Sequence, residues 1–280
     1  MMPALWLGPL IGAGVAAGAI LAGVHQGPVA APPGLAAGMT DTAREAGLSG
    51  SAFAIAAGIL VTNSHVVQGC HRLGVPIRVR AMPGPWRVLA EDAEADLALI
   101  GGPADDGAIL PLSSVLQLPP GMPLMALGYP SGQATHATLA AGRLLRAALT
   151  IHEPAVGRGS SFMLLDRQGR DVPPTWDDGL RYFGAPQADR LRWMLEMDAA
   201  VAPGTSGGPV VDGSGNVVGV VFAGDARRRL TAVVPLDDLR ELLLRADVLP
   251  RFGLRHLAPD PDWTEVGDRV TRAVHQILCY

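Results

Sequence analysis

The stretch Ala202–Asp212, APGTSGGPVVD, sets one serine, Ser206, among glycines and prolines and then turns apolar. A Gly/Ser-rich segment of this kind before a strand is ordinary turn chemistry. What it is for depends on its flanks. GTSGG also fits G-x-S-x-G, the nucleophile elbow of α/β-hydrolases, but that elbow needs a strand before the serine and a helix after it. It also needs an acid and a histidine downstream. Here a proline-glycine loop leads in, and Pro209-Val210-Val211 with the β-like run GNVVGVVFAG leads out. The downstream His256 and His275 lie in tail segments. The surroundings of Ser206 therefore point to a β fold.

The rest of the chain agrees. From Leu48 to about Val234, short apolar segments alternate with turns, among them SAFAIAAGILVTNSHVV, RVLAEDAEADLALI and PLMALGYPSG. Gly 35, Pro 24 and only 5% aromatics suit many short elements better than long helices. An all-β sandwich or barrel is expected, because no helical patterns alternate with the strands as a parallel α/β sheet would require. Two late stretches read as helices. PLDDLRELLLRA opens on Pro235 and two aspartates, as a helix N-terminus prefers. DWTEVGDRVTRAVHQIL puts Trp263, Val266, Val270, Val274 and Ile277 on one helical face, which predicts a short helical tail packed on the body of the fold. The polar insertion Gly157–Asp189 reads as a long hairpin or loop.

Composition removes several function classes. Net charge is -4 with pI near 5.9, so there is no basic field for nucleic acid. All 22 basic residues are arginine, which excludes a lysine base or Schiff-base lysine. Cys70 and Cys279 form no CxxC pair, and His71 beside Cys70 has no second pair at ligand spacing, so no metal or other cofactor is expected. The two cysteines are either one disulfide of an exported protein or two separate buried thiols. Ala4–Val24 is uncharged and about the length of a membrane span. No Lys or Arg precedes it, and small residues at Val29-Ala30-Ala31 follow at cleavage-like spacing. A cleaved signal, a retained anchor and a buried helix all fit; the first two place the remainder outside the cytoplasm. The expected organisation is a signal or anchor over 1–24, a linker over 25–47, a folded domain over 48–247 and a helical extension over 248–280.

A serine hydroxyl becomes a useful nucleophile only with a base, usually imidazole, an acceptor that orients the imidazole, and donors aimed at the developing oxyanion. VTNSHVVQGC supplies His65 after an apolar strand-like run, and EADLALI supplies Asp96 just before a strand. Alone, each is more simply a surface histidine and a turn aspartate. Gly204 and Gly207 flank Ser206 and permit backbone angles that aim the N–H groups of Gly204 and Ser206 at one point.

In the order His65, Asp96, Ser206, these fragments resemble the chymotrypsin-like serine peptidases, and within them the bacterial HtrA/Deg branch. The likeness runs from about Gly50 to Leu243 through GILVTNSHVV, EADLALI, LMALGYPSG, LEMDAAVAPGTSGGPVVDGSGNVVGVV and AVVPLDDL. It implies a double β-barrel with the site in the cleft between barrels. It further implies a serine endopeptidase with Ser206 as nucleophile, His65 as base, Asp96 as orienter and Gly204 and Ser206 as oxyanion donors. Protein or peptide substrates and a periplasmic or membrane-anchored location in envelope quality control or processing go with it. Three features depart from the wider family. Thr205 stands where the digestive enzymes carry the aspartate of zymogen activation, and Ala200 stands where trypsin-like specificity needs an acid. A small aliphatic P1 residue is therefore expected, with Ala200, Val201 and Ala223 lining its pocket. The tail is too short for the PDZ domain usual in HtrA enzymes, which leaves the oligomeric state open. Asp198 matches a family aspartate expected to support the loop. The rival outside enzymology is a silent protease fold used as a scaffold.

Overall fold

A computed structural model describes residues 48–104, 107–115, 117–131, 135–153, 158–162, 191–254 and 261–280. The segment Ala4–Val24, the 25–47 linker and most of the Gly157–Asp189 insertion lie outside the described residues. The chain opens with β1 (Leu48–Ala56) and β2 (Ile59–Thr62), then helix α1 (Ser64–Leu73). Strands β3 (Arg78–Val79), β4 (Arg87–Asp92) and β5 (Leu97–Gly101) follow. After β6 (Leu112–Ser113) come β7 (Pro123–Gly128), β8 (Thr138–Glu153), β9 (Arg158–Phe162) and β10 (Leu191–Asp198). The remainder is β11 (Pro209–Val211), β12 (Val217–Asp225), β13 (Leu230–Pro235), helix α2 (Leu236–Arg245), β14 (Phe252–Gly253), helix α3 (Trp263–Thr271) and β15 (Val274–Cys279).

The strands form two sheets, as expected of a double β-barrel. The first has six strands in the order β3-β15-β1-β2-β5-β4. In the second, β11, β7, β8, β10, β13 and β12 follow one another, and a further β11–β12 pairing closes the ring. Closure removes exposed edges. Short β6 and β14 extend it beside β12, and β9 forms a hairpin with the far end of β8. Of the polar insertion only β9 is described, and it forms that hairpin. One core cluster runs from Phe53, Leu60 and Leu99 through to Phe222 and Leu239, so the apolar interior is shared between the barrels. Leu97, Ala98, Leu99 and Ile100 of β5 are all buried, because the strand is covered on both faces.

The C-terminal region corrects the sequence expectation. The helix ends at Thr271, and Val274–Cys279 is a strand rather than its last turns. Val274 and Ile277 satisfy a helical spacing; on the strand, three apart, they face opposite sides, and both are buried because β15 is an interior strand, where β-branched side chains are favoured. As a strand, β15 gains six antiparallel register pairs with β1, from Leu48↔Cys279 to Phe53↔Val274. The stretch 248–280 is thus no separate helical extension: it supplies β14 to the second sheet and an interior strand to the first. Helix α3, capped by the Asp262 carboxylate on the N–H groups of Thr264 and Glu265, packs on the second barrel. There Leu139 fills the space a side chain at Gly267 would need, and the Arg269 guanidinium donates to the Ser214 carbonyl at 3.0 Å. Cys279 and Cys70 of α1 form a disulfide across 209 residues, both sulfurs buried, which resolves the alternative left open by their spacing.

An ionic cluster joins the barrels at the turn that carries Asp96. Asp92 pairs with Arg245 of α2, and Glu94 pairs with Arg192 of β10. Burial pushes the Asp92 carboxyl up, but the Ala95 backbone N–H and Arg245 outweigh it and hold it below the usual range. Asp238 of α2 is pushed up to about 6 by burial and by the nearby charge of Asp92.

Two outcomes follow from these contacts. Cys279→Ser should lower unfolding free energy by about 2–5 kcal/mol in denaturant titration, since the crosslink closes a long loop; an unchanged midpoint would contradict a stabilising role. Asp238 titrates higher in the folded than in the unfolded chain, so the native state takes up this proton first as pH falls. Its ionisation weakens the fold fully above about pH 6, and the penalty fades as pH falls from there to the unfolded value of 3.8. Asp238→Asn should therefore raise Tm at about pH 8, raise it less near about pH 5, and leave it unchanged only below the unfolded value of 3.8. A pH-independent difference in Tm would contradict this.

Candidate active site

The chain leaves β2 through Thr62 and Asn63 and enters α1, so His65 sits in the first turn of a helix, not at the end of a strand. Asn63 has the extended backbone of an N-cap, and its buried amide donates to the Asp96 carbonyl at 2.9 Å. The Ser64 hydroxyl donates to Glu91 of β4 at 2.6 Å, and the Gln68 amide donates to the same oxygen at 2.8 Å. Helix α1 is thereby tied to the neighbouring strand on the side away from the cleft.

Asp96 occupies the left-handed region, φ 56, at the last turn residue before β5. Aspartate tolerates this conformation better than most residues. Its side chain has no solvent exposure and is satisfied by a single partner residue: Oδ1 accepts the His65 backbone N–H at 2.8 Å, and Oδ2 lies 2.7 Å from His65 Nδ1. With the proton on Nδ1, Nε2 is left as the acceptor nitrogen. The Phe222 ring meets the imidazole edge-on, with centroids 6.2 Å apart and planes at 87°.

Ser206 lies between two glycines in left-handed backbone, Gly204 at φ 92 and Gly207 at φ 85. Side chains are excluded at both: a Cβ on Gly204 would lie 2.4 Å from Ser131 N, and one on Gly207 would lie 2.2 Å from Ser51 O. The Pro203 carbonyl accepts the Ser131 N–H at 2.7 Å, and the Thr205 carbonyl accepts the Gly208 N–H at 3.0 Å. In a trans peptide the N–H points opposite to the C=O. The N–H groups of Gly204 and Ser206 therefore face away from those partners, and neither donates to a protein group among the described residues. Strand β11, not a helix, follows the serine, which removes the α/β-hydrolase elbow.

His65 and Ser206 line one cleft of about 350 Å³. No hydrogen bond joins their side chains among the described residues; such bonds often tighten only when substrate is bound. Beside Ser206 the walls are Val201, Ala202, Pro203, Gly204, Ala223 and Gly224. Of the expected pocket residues, Val201 and Ala223 are there, whereas Ala200 is exposed and does not line the cleft. Asp198 is on the surface, 3.5 Å from the Arg229 guanidinium. The opposite side of the cleft was not legible from motifs: Leu48, Ser49, Val66, Gly69, Arg72 and Cys279 form it. Arg72 had a signal, since seven residues after His65 is the same helical face; Cys279 had none without the disulfide. No three His, Cys, Asp or Glu side chains converge on a metal-sized site among the described residues.

The chain matches the family described as Trypsin-like peptidase domain over residues 50–220. It is 28% identical over 178 residues to the putative serine protease HhoB of Synechocystis, covering 63% of this chain and 34% of that protein. The serine protease HtrA-like protein of Staphylococcus aureus is 24% identical over 190 residues, 66% of this chain and 21% of that protein. The chain thus spans about a third or less of the length of these relatives. Among solved structures, the active form of the Rv3671c protease from M. tuberculosis is similar in fold, with a TM-score of 0.50, 21% identity, and 74% of this chain and 77% of that chain covered. With two sheets of the chymotrypsin-like double-barrel kind and a family match across residues 50–220 of its 280, this chain belongs to the trypsin-like peptidase domain family.

Proposed function

We propose that the chain is a serine endopeptidase acting through Ser206, His65 and Asp96. The observation that carries the reading is the Asp96 carboxylate, fully buried and held on both the backbone N–H and Nδ1 of His65. A buried carboxylate spent wholly on one imidazole orients that ring and stabilises it once protonated. The ring's other nitrogen then serves the cleft that Ser206 shares.

In this reading Ser206 Oγ attacks the scissile carbonyl carbon while His65 Nε2 takes the hydroxyl proton. The carbonyl oxygen gains the negative charge and is met by the N–H groups of Gly204 and Ser206. As the C–N bond breaks, the imidazolium returns the proton to the leaving amine, giving an acyl-enzyme. Water, deprotonated by His65, attacks the ester and releases the acid and the free serine. Val201 and Ala223 beside the serine suit a small aliphatic P1 side chain. Buried Thr205 offers no carboxylate to a new N-terminus, so activation needs no zymogen-type ion pair. The disulfide and the apolar Ala4–Val24 segment support an exported protein, periplasmic or anchored facing the periplasm. Protein or peptide substrates in envelope quality control or processing fit that setting.

The unbonded Ser206–His65 pair favours a second reading, a silent scaffold on the same fold. A fluorophosphonate probe separates the two. Labelling of the wild type that is lost in Ser206→Ala, together with casein cleavage, is expected; absence of both at several pH values would establish the scaffold. In steady-state assays Asp96→Asn should lower kcat on the order of 10⁴-fold and His65→Ala on the order of 10⁶-fold. Retention of near wild-type kcat in either would remove that residue from the mechanism. A peptide-library profile should show Ala or Val at P1, and dominance by Arg or Lys would overturn the pocket assignment.

A further inference from the structure

We infer that Ser51 is a positioning residue for the oxyanion loop, a hydroxyl clasp that reaches from the first barrel and fixes the Gly204 peptide. The inference rests on the peptidase reading above. Ser51 lies in β1, is completely buried and bonds to three separate segments. Its Oγ donates to the Gly204 carbonyl at 2.8 Å and accepts the Tyr129 N–H at 2.8 Å. Its backbone N–H donates to the Ser206 carbonyl at 2.8 Å. Its carbonyl accepts the Thr62 hydroxyl at 2.7 Å, just before Asn63 and His65. One residue of the His-bearing barrel thus holds the carbonyls on either side of Thr205 and the backbone after β7.

The loop needs such a partner because Gly204 does not fix its own geometry. Glycine populates both signs of φ with little preference, so local sterics leave the peptide planes around it free to turn. The Gly204 carbonyl belongs to the Gly204–Thr205 peptide, which lies between the two peptides that carry the N–H groups of Gly204 and Ser206; turning that middle plane would rotate the backbone on either side and displace those donors from the oxyanion. In the structure three successive carbonyls are held: Pro203 by Ser131 N–H, Gly204 by Ser51 Oγ and Thr205 by Gly208 N–H. Only the middle one depends on a side chain. The fit around the hydroxyl is close, since a Cβ on Gly128 would come within 2.7 Å of Ser51 Oγ. The same oxygen uses one donor and one acceptor function, which no apolar side chain reproduces and which a thiol reproduces poorly.

The test compares wild type with Ser51→Ala and, as a near-isosteric weak donor, Ser51→Cys, in the full oxidised chain. Active sites are titrated with the fluorophosphonate probe, and kcat and KM are measured per titrated site on a peptide anilide with a small P1 residue. Inhibition by the matching peptide boronate, which mimics the tetrahedral species, is measured alongside. Expected is a fall in kcat per site on the order of 10- to 100-fold, since a displaced oxyanion donor loses part of the effect of a deleted one. Boronate affinity should fall in parallel, with KM near the wild-type value. If Ser51→Ala does not fold, Ser51→Cys alone decides. A folded variant whose kcat per site and boronate affinity equal wild type, even with lower Tm or fewer titratable sites, overturns the clasp. A wild type that takes no label instead overturns the peptidase reading on which it rests.

Discussion

A carboxylate removed from water must find all its partners within the protein, and Asp96 finds them in His65. Much of the first barrel follows from that requirement. The aspartate has to reach His65 from the start of β5, which places it in a left-handed turn, and the Asn63 amide holds its carbonyl there. Because the backbone N–H of His65 is one of the two ligands, the helix start as well as the ring is fixed. Loss of the carboxylate would free both at once, so orientation of the base and the path of the chain out of β2 are one constraint.

The second barrel contributes a loop of different character. Ser206 is carried not by regular structure but by peptides whose carbonyls are individually held, between two glycines that no side chain could replace. The two halves meet through main-chain and hydroxyl contacts at Ser51 and through a shared apolar core. A rigid imidazole on one barrel and a shaped loop on the other is a division of labour: the buried Asp96 carboxylate positions the ring, and hydrogen bonds to successive carbonyls position the loop peptides.

The motifs around His65, Asp96, Ser206 and Gly204 stood out in sequence because serine chemistry would demand those residue types with those neighbours, and the structure joins His65 to Asp96 and sets His65, Gly204 and Ser206 on one cleft. The β-rich architecture was legible from turn spacing and from the strand after Ser206. Other features had no local signature. Val274 and Ile277 fit a helical spacing, and the strand is set instead by pairing with β1, far away in sequence. The cysteine pair depends on the same distant contact. Ala200 falls in the pocket by counting back from the serine, but in the structure it is exposed and the cleft lining begins at Val201. Ser51 looks like any small strand residue until the second barrel closes on it.

The position of β15 has a consequence for timing. The first sheet is completed by almost the last residues described, which insert between β1 and β3 and are then crosslinked to the helix bearing His65. During synthesis, β1 waits for its partner until the chain through Cys279 has been made. One wall of the cleft, with Leu48 and Cys279 in it, does not exist before then. Order of synthesis thus holds back that wall of the cleft until β15 has emerged and paired, so the cleft wall and the crosslink to the His65 helix form together.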